Sequence, residues 1–261
     1  MGGMGPWTAI VLAGQRPGEN AFPAAHGVPA KALIPVGGEP MLARVVRALL
    51  ASPSVARIVI LAQEPEALLV DALAPLAEEP RIATVRGGAG ISSSIAAVAG
   101  TAAAPHPVLV TTADHALLEP AIVEAFLAAA GECDAAFAMV ERAVVERAYP
   151  ETKRTWIKFS DGHYTGANLF AFVTAESVRG LEFWARVEKD RKKALKLLSF
   201  FGPLLFVRAF TRTISLGAAA AKAGRQLGLR IKAVKLPYAN AAIDVDKPAD
   251  LELVERILAT K

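Results

Sequence analysis

Short apolar runs of strand length alternate with helical patterns along most of the chain. The run Ala9-Ile10-Val11-Leu12 has the continuous apolar character of a buried strand, and it breaks at Ala13-Gly14. Leu42, Val45, Val46 and Leu49 recur at helical spacing, which predicts a helix over 41–51 ended by Pro53. Further strands are predicted over 57–61, 81–85, 108–112 and 134–140, with helices over 66–76, 91–101 and 120–130 between them. Pro120 stands near the start of the last helix, where a missing N–H does no harm. A helix over 141–149 closes at Pro150. Segments 155–159 and 166–172 read as strands around the turn Ser160-Asp161-Gly162-His163. Segment 181–228 reads as helical, 230–236 as a late strand, and Pro248 opens a terminal helix. This alternation predicts an α/β fold, a mostly parallel sheet with helices on both faces.

Composition changes the picture in three places. With 261 residues and 53% apolar residues, the chain suits one large domain, 1–261, carrying an insertion. The insertion is marked by charge. The net charge of +4 conceals thirteen Lys or Arg against two acids between Arg186 and Lys235, so the rest of the chain is acidic. That block sets 181–229 apart as a basic helical insertion. Cys133 is the single cysteine, which excludes an intrachain disulfide and favours a reducing, cytoplasmic setting. No basic segment precedes the first apolar run, so no secretory leader is expected, and no run reaches the roughly 18 apolar residues of a membrane span.

The candidate chemistry begins where the first strand ends. A glycine-containing loop after such a strand lets backbone N–H groups approach phosphate oxygens, and Arg16 and Lys31 supply positive charge. Arg86-Gly87-Gly88-Ala89-Gly90 ends the third strand and runs into the serine-rich helix start Ile91-Ser92-Ser93-Ser94. In an open α/β sheet such strand ends face the ligand crevice. Asp114 closes the central strand in Thr111-Thr112-Ala113-Asp114. A carboxylate there needs a partner, and Mg²⁺ takes one or two carboxylates alongside phosphate oxygens. His115 follows and is read as lining the site without a catalytic role. Lys153 and Arg154 form a basic pair suited to an acceptor phosphate.

The stretch Leu12-Ala13-Gly14 with Arg16 and Gly18, then Lys31-Ala32-Leu33-Ile34-Pro35-Val36, resembles the opening signature of the MobA-like nucleotidyltransferases. Asp244-Val245-Asp246-Lys247-Pro248-Ala249-Asp250-Leu251 resembles that family's C-terminal signature. The resemblance implies a GT-A-like, Rossmann-related fold. It implies an Mg²⁺-dependent transfer of NMP from NTP to a small phosphorylated acceptor with release of pyrophosphate, CMP being favoured over GMP. It puts Leu12, Ala13, Gly14, Arg16, Lys31, Gly87, Gly88, Ser92 and Ser93 on the nucleotide, with Gly88, Ser92 and Ser93 at the base. It makes Arg16, Lys31, Asp114 and Asp246 the catalytic set, with Asp114 and Asp246 on the metal and Asp244 as the second choice. Asn168, in a Gly-x-Asn pattern, joins Lys153 and Arg154 on the acceptor side.

Two other classes compete. A GT-A glycosyltransferase shares the fold and uses an Asp-x-Asp motif, but that motif normally follows a mid-chain strand, and here it is C-terminal. A non-catalytic nucleotide binder is opposed by the intact Lys31, Asp114 and Asp246. Nucleic-acid binding ranks below both, because the basic block has few aromatics suited to base stacking. Within 189–210 the basic run precedes an uncharged stretch, 197–207. That pattern suits packing on the domain, a homodimer interface, or a membrane-peripheral contact with anionic lipid.

Overall fold

The computed structural model describes residues 6–15, 21–88, 90–189 and 213–260. Arg16, Gly18, Ala89 and nearly all of 189–210 therefore lie outside the described residues, and with them the readings that concern them.

One eight-stranded sheet organises the molecule. Its middle is β1 (Trp7–Leu12), paired in parallel with β4 (Val55–Ala62) on one side and β6 (Val108–Thr112) on the other. β5 (Ile82–Arg86) extends the sheet in parallel beyond β4. On the other side β9 (Gly162–Phe172) runs antiparallel to both β6 and β7 (Ala135–Glu141), and β10 (Ile231–Leu236) closes that edge in parallel with β7. The order is β10-β7-β9-β6-β1-β4-β5, and the short β8 (Ile157–Phe159) pairs with β9. The expected mostly parallel sheet is therefore present, with β9 as its antiparallel member.

Both faces are covered, which explains why β1 is apolar at every position from 9 to 12 rather than alternating. Ala9 and Val11 pack in one layer with α2 (Met41–Leu50) and α5 (Pro120–Ala130), while Ile10 packs in the other near α4 (Ile91–Val98) and α7 (Val178–Lys189). On α2, Met41, Leu42, Val45, Val46 and Leu49 are wholly buried, as their spacing predicts. Each such side chain contributes about 1.5–3 kcal/mol by leaving water.

Local departures from the sequence reading have identifiable causes. No single helix fills 66–76; two 3₁₀ turns, Pro65–Ala67 and Asp71–Leu73, lead into the four-residue α3 (Ala74–Ala77). Asp71 has φ +49, a left-handed backbone that interrupts a helix, and Pro75 lacks the N–H needed to continue one. The Pro35-Val36-Gly37-Gly38-Glu39-Pro40 stretch forms a small hairpin of β2 (Pro35–Val36) and β3 (Glu39–Pro40). Its two-residue turn has φ +59 at Gly37 and +82 at Gly38, which is why both are glycine. A short α1 (Ala21–Ala25) precedes Lys31, and α6 (Arg142–Ala148) follows β7. The helical reading of 181–228 holds at its ends, as α7 and α8 (Leu216–Leu227). The terminal helix α9 (Pro248–Ala259) starts at its proline. Parallel strands β1, β4, β5 and β6 all point their C-terminal ends the same way, and the functional cleft opens there.

Candidate active site

A cleft of ≈ 750 Å³ gathers Leu12, Gly14, Lys31, Gly87, Gly88, Asp114, Asn168 and Asp246, residues drawn from six separate stretches of sequence. Its electrostatic centre is Lys31. This residue starts a 3₁₀ turn, Lys31–Leu33, and its Nζ donates to Asp114 Oδ2 at 2.6 Å and to Asp246 Oδ1 at 2.6 Å. Burial disfavours the ammonium, but the two carboxylates outweigh it and hold the lysine pKa above its ordinary 10.5. The same pairing works in reverse on Asp246. Burial pushes its carboxyl up, and the hydrogen bond and charge of Lys31, helped by Arg154, bring it below the ordinary value.

Each carboxylate is held independently. Asp114 caps β6, and Thr112 Oγ1 donates to its Oδ1. Its backbone oxygen accepts from Val245 N at 3.1 Å, so the C-terminal loop is docked directly on Asp114. Asp246 N donates to Asp250 Oδ2 at 3.2 Å, which ties that loop to the first turn of α9. Asp244 lies between these points. It accepts from Arg154 and from Asn168 Nδ2, the latter at 3.2 Å, and Asn168 reaches it from a left-handed backbone, φ +46. Burial, together with Asp246 and Asp114, lifts the Asp244 carboxyl above its ordinary value despite Arg154.

The loop after β1 is built differently from the expectation. Ala13 N donates to Leu61 O at 3.0 Å, continuing the β1–β4 ladder, so the Ala13 amide is committed to the sheet. Gln15 N donates to Gln63 Oε1 at 3.0 Å. Gly14 lies against the Gln63 amide, and a Cβ there would come within 2.7 Å of Gln63 Oε1. The base-side loop also differs. Ser92 is wholly buried and Ser93 is exposed with its hydroxyl on Gly90 O, so neither lines the cleft. Ser94 does. It accepts from Gly88 N at 2.8 Å and donates to Gly90 O at 2.6 Å. Helical rotation of about 100° per residue sends adjacent serines to different faces, which the sequence pattern did not resolve.

On the acceptor side Asn168 lines the cleft, but Arg154 and Lys153 do not. Arg154 is drawn inward by Asp244, its Nη2 also reaching Asp244 O at 3.3 Å and Asp250 Oδ1 at 3.7 Å. Lys153 is exposed on the surface. His115 is buried rather than site-lining, and burial pushes its pKa down to about 4. The structure adds Gln15, Gln63, Phe170 and Trp184 to the walls, with the Phe170 and Trp184 rings 5.5 Å apart. Gln63 directly follows β4, so the strand-end rule that flagged the glycines also covers it.

Comparison with known proteins bears on the family and the fold. The MobA-like NTP transferase domain family matches residues 9–226, a span that contains Lys31 and Asp114 and stops before Asp244. A hypothetical transferase from Thermus thermophilus is 30% identical, with a TM-score of 0.75, covering 95% of this chain and 100% of its own. A 4-diphosphocytidyl-2C-methyl-D-erythritol synthase from Anaerococcus prevotii superposes with a TM-score of 0.60 at 14% identity, covering 98% of this chain and 96% of its own. A CMP:2-keto-3-deoxy-manno-octonic acid synthetase complexed with CTP does so at 0.57 and 14%, covering 99% of each chain. No curated protein matches the chain. The fold is thus the Rossmann-like, GT-A type of the nucleotidyltransferases. The chain belongs to the MobA-like NTP transferase family and is a nucleotidyltransferase.

Proposed function

We propose that the protein transfers CMP, in preference to GMP, from the nucleoside triphosphate to a small phosphorylated acceptor and releases pyrophosphate, with Mg²⁺ at Asp114 and Asp246. The observation that carries this reading is the convergence of those two carboxylates on one cation, the Lys31 ammonium, at the mouth of the glycine loops. Two hard oxygen donors from separate elements, already balanced by a positive charge, are the donor set Mg²⁺ takes beside phosphate oxygens. When bound, Mg²⁺ supplies Lewis-acid stabilisation of the α-phosphate. The preference for CTP draws on the cytidylyl chemistry named for the two structural relatives, and the serine that fits the base side is Ser94.

In this reading Asp114 and Asp246 would hold the metal, and Lys31 would turn from them to the β- and γ-phosphates. Asp114 and Asp246 keep their positions through Thr112, Val245 and Asp250. An acceptor phosphate oxygen attacks the α-phosphorus, the bond from that phosphorus to the bridging oxygen breaks, and pyrophosphate leaves with the electron pair. A phosphate monoester is already anionic, so no general base is needed. Positioning and charge neutralisation then carry the step. Asn168, Phe170 and Trp184 line the cleft, and in this reading they would bound its acceptor half. The setting we infer is cytoplasmic, with a single buried free cysteine. Among the described residues no helix is long and apolar enough to cross a membrane.

The test is thermal stabilisation by each of the four NTPs with Mg²⁺, followed by pyrophosphate release with sugar, polyol, phosphoalcohol and pterin phosphates. CTP should stabilise most, and Asp114→Asn should lose Mg²⁺-dependent turnover while remaining folded. Absence of both stabilisation and pyrophosphate release across the panel would overturn the reading.

A further inference from the structure

We propose that Gln63 is a positioning residue that braces the phosphate-side loop by extending the sheet with its side chain. The backbone ladder between β1 and β4 ends at the Leu12–Leu61 pairing and the Ala13 N to Leu61 O bond. One residue further on, the chain would have to hold itself. There the Gln63 side-chain amide takes over the role of a neighbouring peptide. Its Oε1 accepts from Gln15 N at 3.0 Å, and its Nε2 donates to Gln15 O at 3.0 Å. Both polar groups of one peptide-bearing residue are thereby satisfied by one side chain of the adjacent strand.

The brace has two further consequences. Gly14 lies against it: a Cβ at position 14 would stand 2.7 Å from Gln63 Oε1 and 3.1 Å from Nε2, so a side chain there would push the amide away from its bonds to Gln15. Glycine at position 14 thus leaves room for the brace. The second consequence reaches the centre of the site. Gln15 Oε1 accepts from Lys31 N at 3.0 Å, and Lys31 Nζ lies between Asp114 and Asp246. A continuous chain of contacts therefore runs from the end of β4 through Gln63, Gln15 and Lys31 to the two carboxylates. Residues 13–15 and Lys31 are thereby held before a ligand arrives, so binding does not have to supply that part of the order.

This inference rests on the reading of the cleft as an Mg²⁺–NTP site, and the test separates the two. Amide exchange is measured across residues 12–15 of the ligand-free protein, and Mg²⁺–CTP affinity is measured by calorimetry, for wild type, Gln63→Ala and Gln63→Glu. Gln63→Glu keeps the shape but has no N–H for Gln15 O. Gln63→Ala, which loses both hydrogen bonds, should exchange faster at Gln15 and bind Mg²⁺–CTP about tenfold more weakly, whereas Gln63→Glu, which still accepts from Gln15 N and loses only the donation to Gln15 O, should fall between it and wild type. Gly14→Ala should speed the same exchange in wild type and add nothing in the Gln63→Ala background, since the contact it disturbs is already gone. Unchanged exchange at Gln15 in Gln63→Ala overturns the brace, even if CTP affinity falls. Failure of wild type to bind any NTP overturns the nucleotide reading and leaves the exchange result to decide the brace alone.

Discussion

Replacing Lys31 by Met separates the internal cation from the metal. In the ligand-free protein the ammonium balances Asp114 and Asp246, 2.6 Å from each. The Asp114 pairing is mostly buried, with side-chain exposures of 25% and 18%, whereas the Asp246 carboxylate is 61% exposed. An exposed pair contributes about 0.2–1 kcal/mol, and breaking a fully buried one costs about 3–5 kcal/mol. This site lies between those limits, so the loss without metal should be about 2 kcal/mol, or about 5 °C in Tm for a chain of this size. Methionine fills similar volume, so the loss reports charge rather than a cavity. Thermal melts in EDTA and in millimolar Mg²⁺, without nucleotide, provide the assay. In wild type Mg²⁺ must displace the ammonium and should shift Tm little. In Lys31→Met the two carboxylates have no competing cation, and Mg²⁺ should recover most of the lost stability; at one hundred times its Kd a ligand adds about 2.7 kcal/mol. Pyrophosphate release should be abolished in the same variant. Equal Mg²⁺ shifts in the two proteins, or no loss of Tm in EDTA, would refute the assignment of Lys31 as the occupant of the metal position.

Other expectations follow from the same network. His115 is buried with its pKa pushed down from 6.5 to about 4, so the unfolded chain binds the extra proton first, and stability in EDTA should fall as pH drops from 6.5 to 4. The contribution is on the order of 3 kcal/mol, and His115→Gln should remove it; identical acid limbs in urea titrations would rule this out. Arg154→Ala leaves the largely buried Asp244 without its cation and should cost about 3 kcal/mol in urea unfolding. Arg154→Lys should recover only part of that, because an ammonium lacks the fork that reaches Asp244 and Asp250 together. Ser94→Ala removes the acceptor of Gly88 N and the donor to Gly90 O, and should weaken CTP binding about tenfold. Ser93→Ala, on the exposed side, should stay within about twofold; the reverse order in calorimetry would restore Ser93 as the base contact.

Much of this protein was legible in the chain itself. The apolar run at 9–12 and the β-branched-rich segment 108–112 read as strands covered on both faces, and the spacing of Leu42, Val45, Val46 and Leu49 reads as a helix lying on them. The residues proposed to carry nucleotidyl transfer were also visible, because Lys31, Asp114 and Asp246 follow strand ends or open helices in patterns that resemble a known family's. Where the reading stopped, a general physical limit was at work. Sequence spacing sets which face of an element a residue occupies only when the element's phase is known, so it could not choose among Ser92, Ser93 and Ser94. It carries no information on pairing between residues 83 and 215 positions apart, and so it left Lys31 as a phosphate ligand and did not reveal the ammonium held between two carboxylates.

Tertiary structure alone decided how the charges are shared. Lys153-Arg154 looked like one basic pair, yet a strong inward hydrogen bond to Asp244 commits Arg154 to the C-terminal loop and leaves Lys153 in solvent. Gln63 carries no charge and is marked in the sequence only by following a strand, and the role proposed for it lies in where β4 ends beside Gln15. Local propensity and hydrophobic periodicity act over a few residues and determine the elements. The positions of charged and amide side chains depend on the free energy of burying them, and that is minimised only by partners the folded sheet brings together.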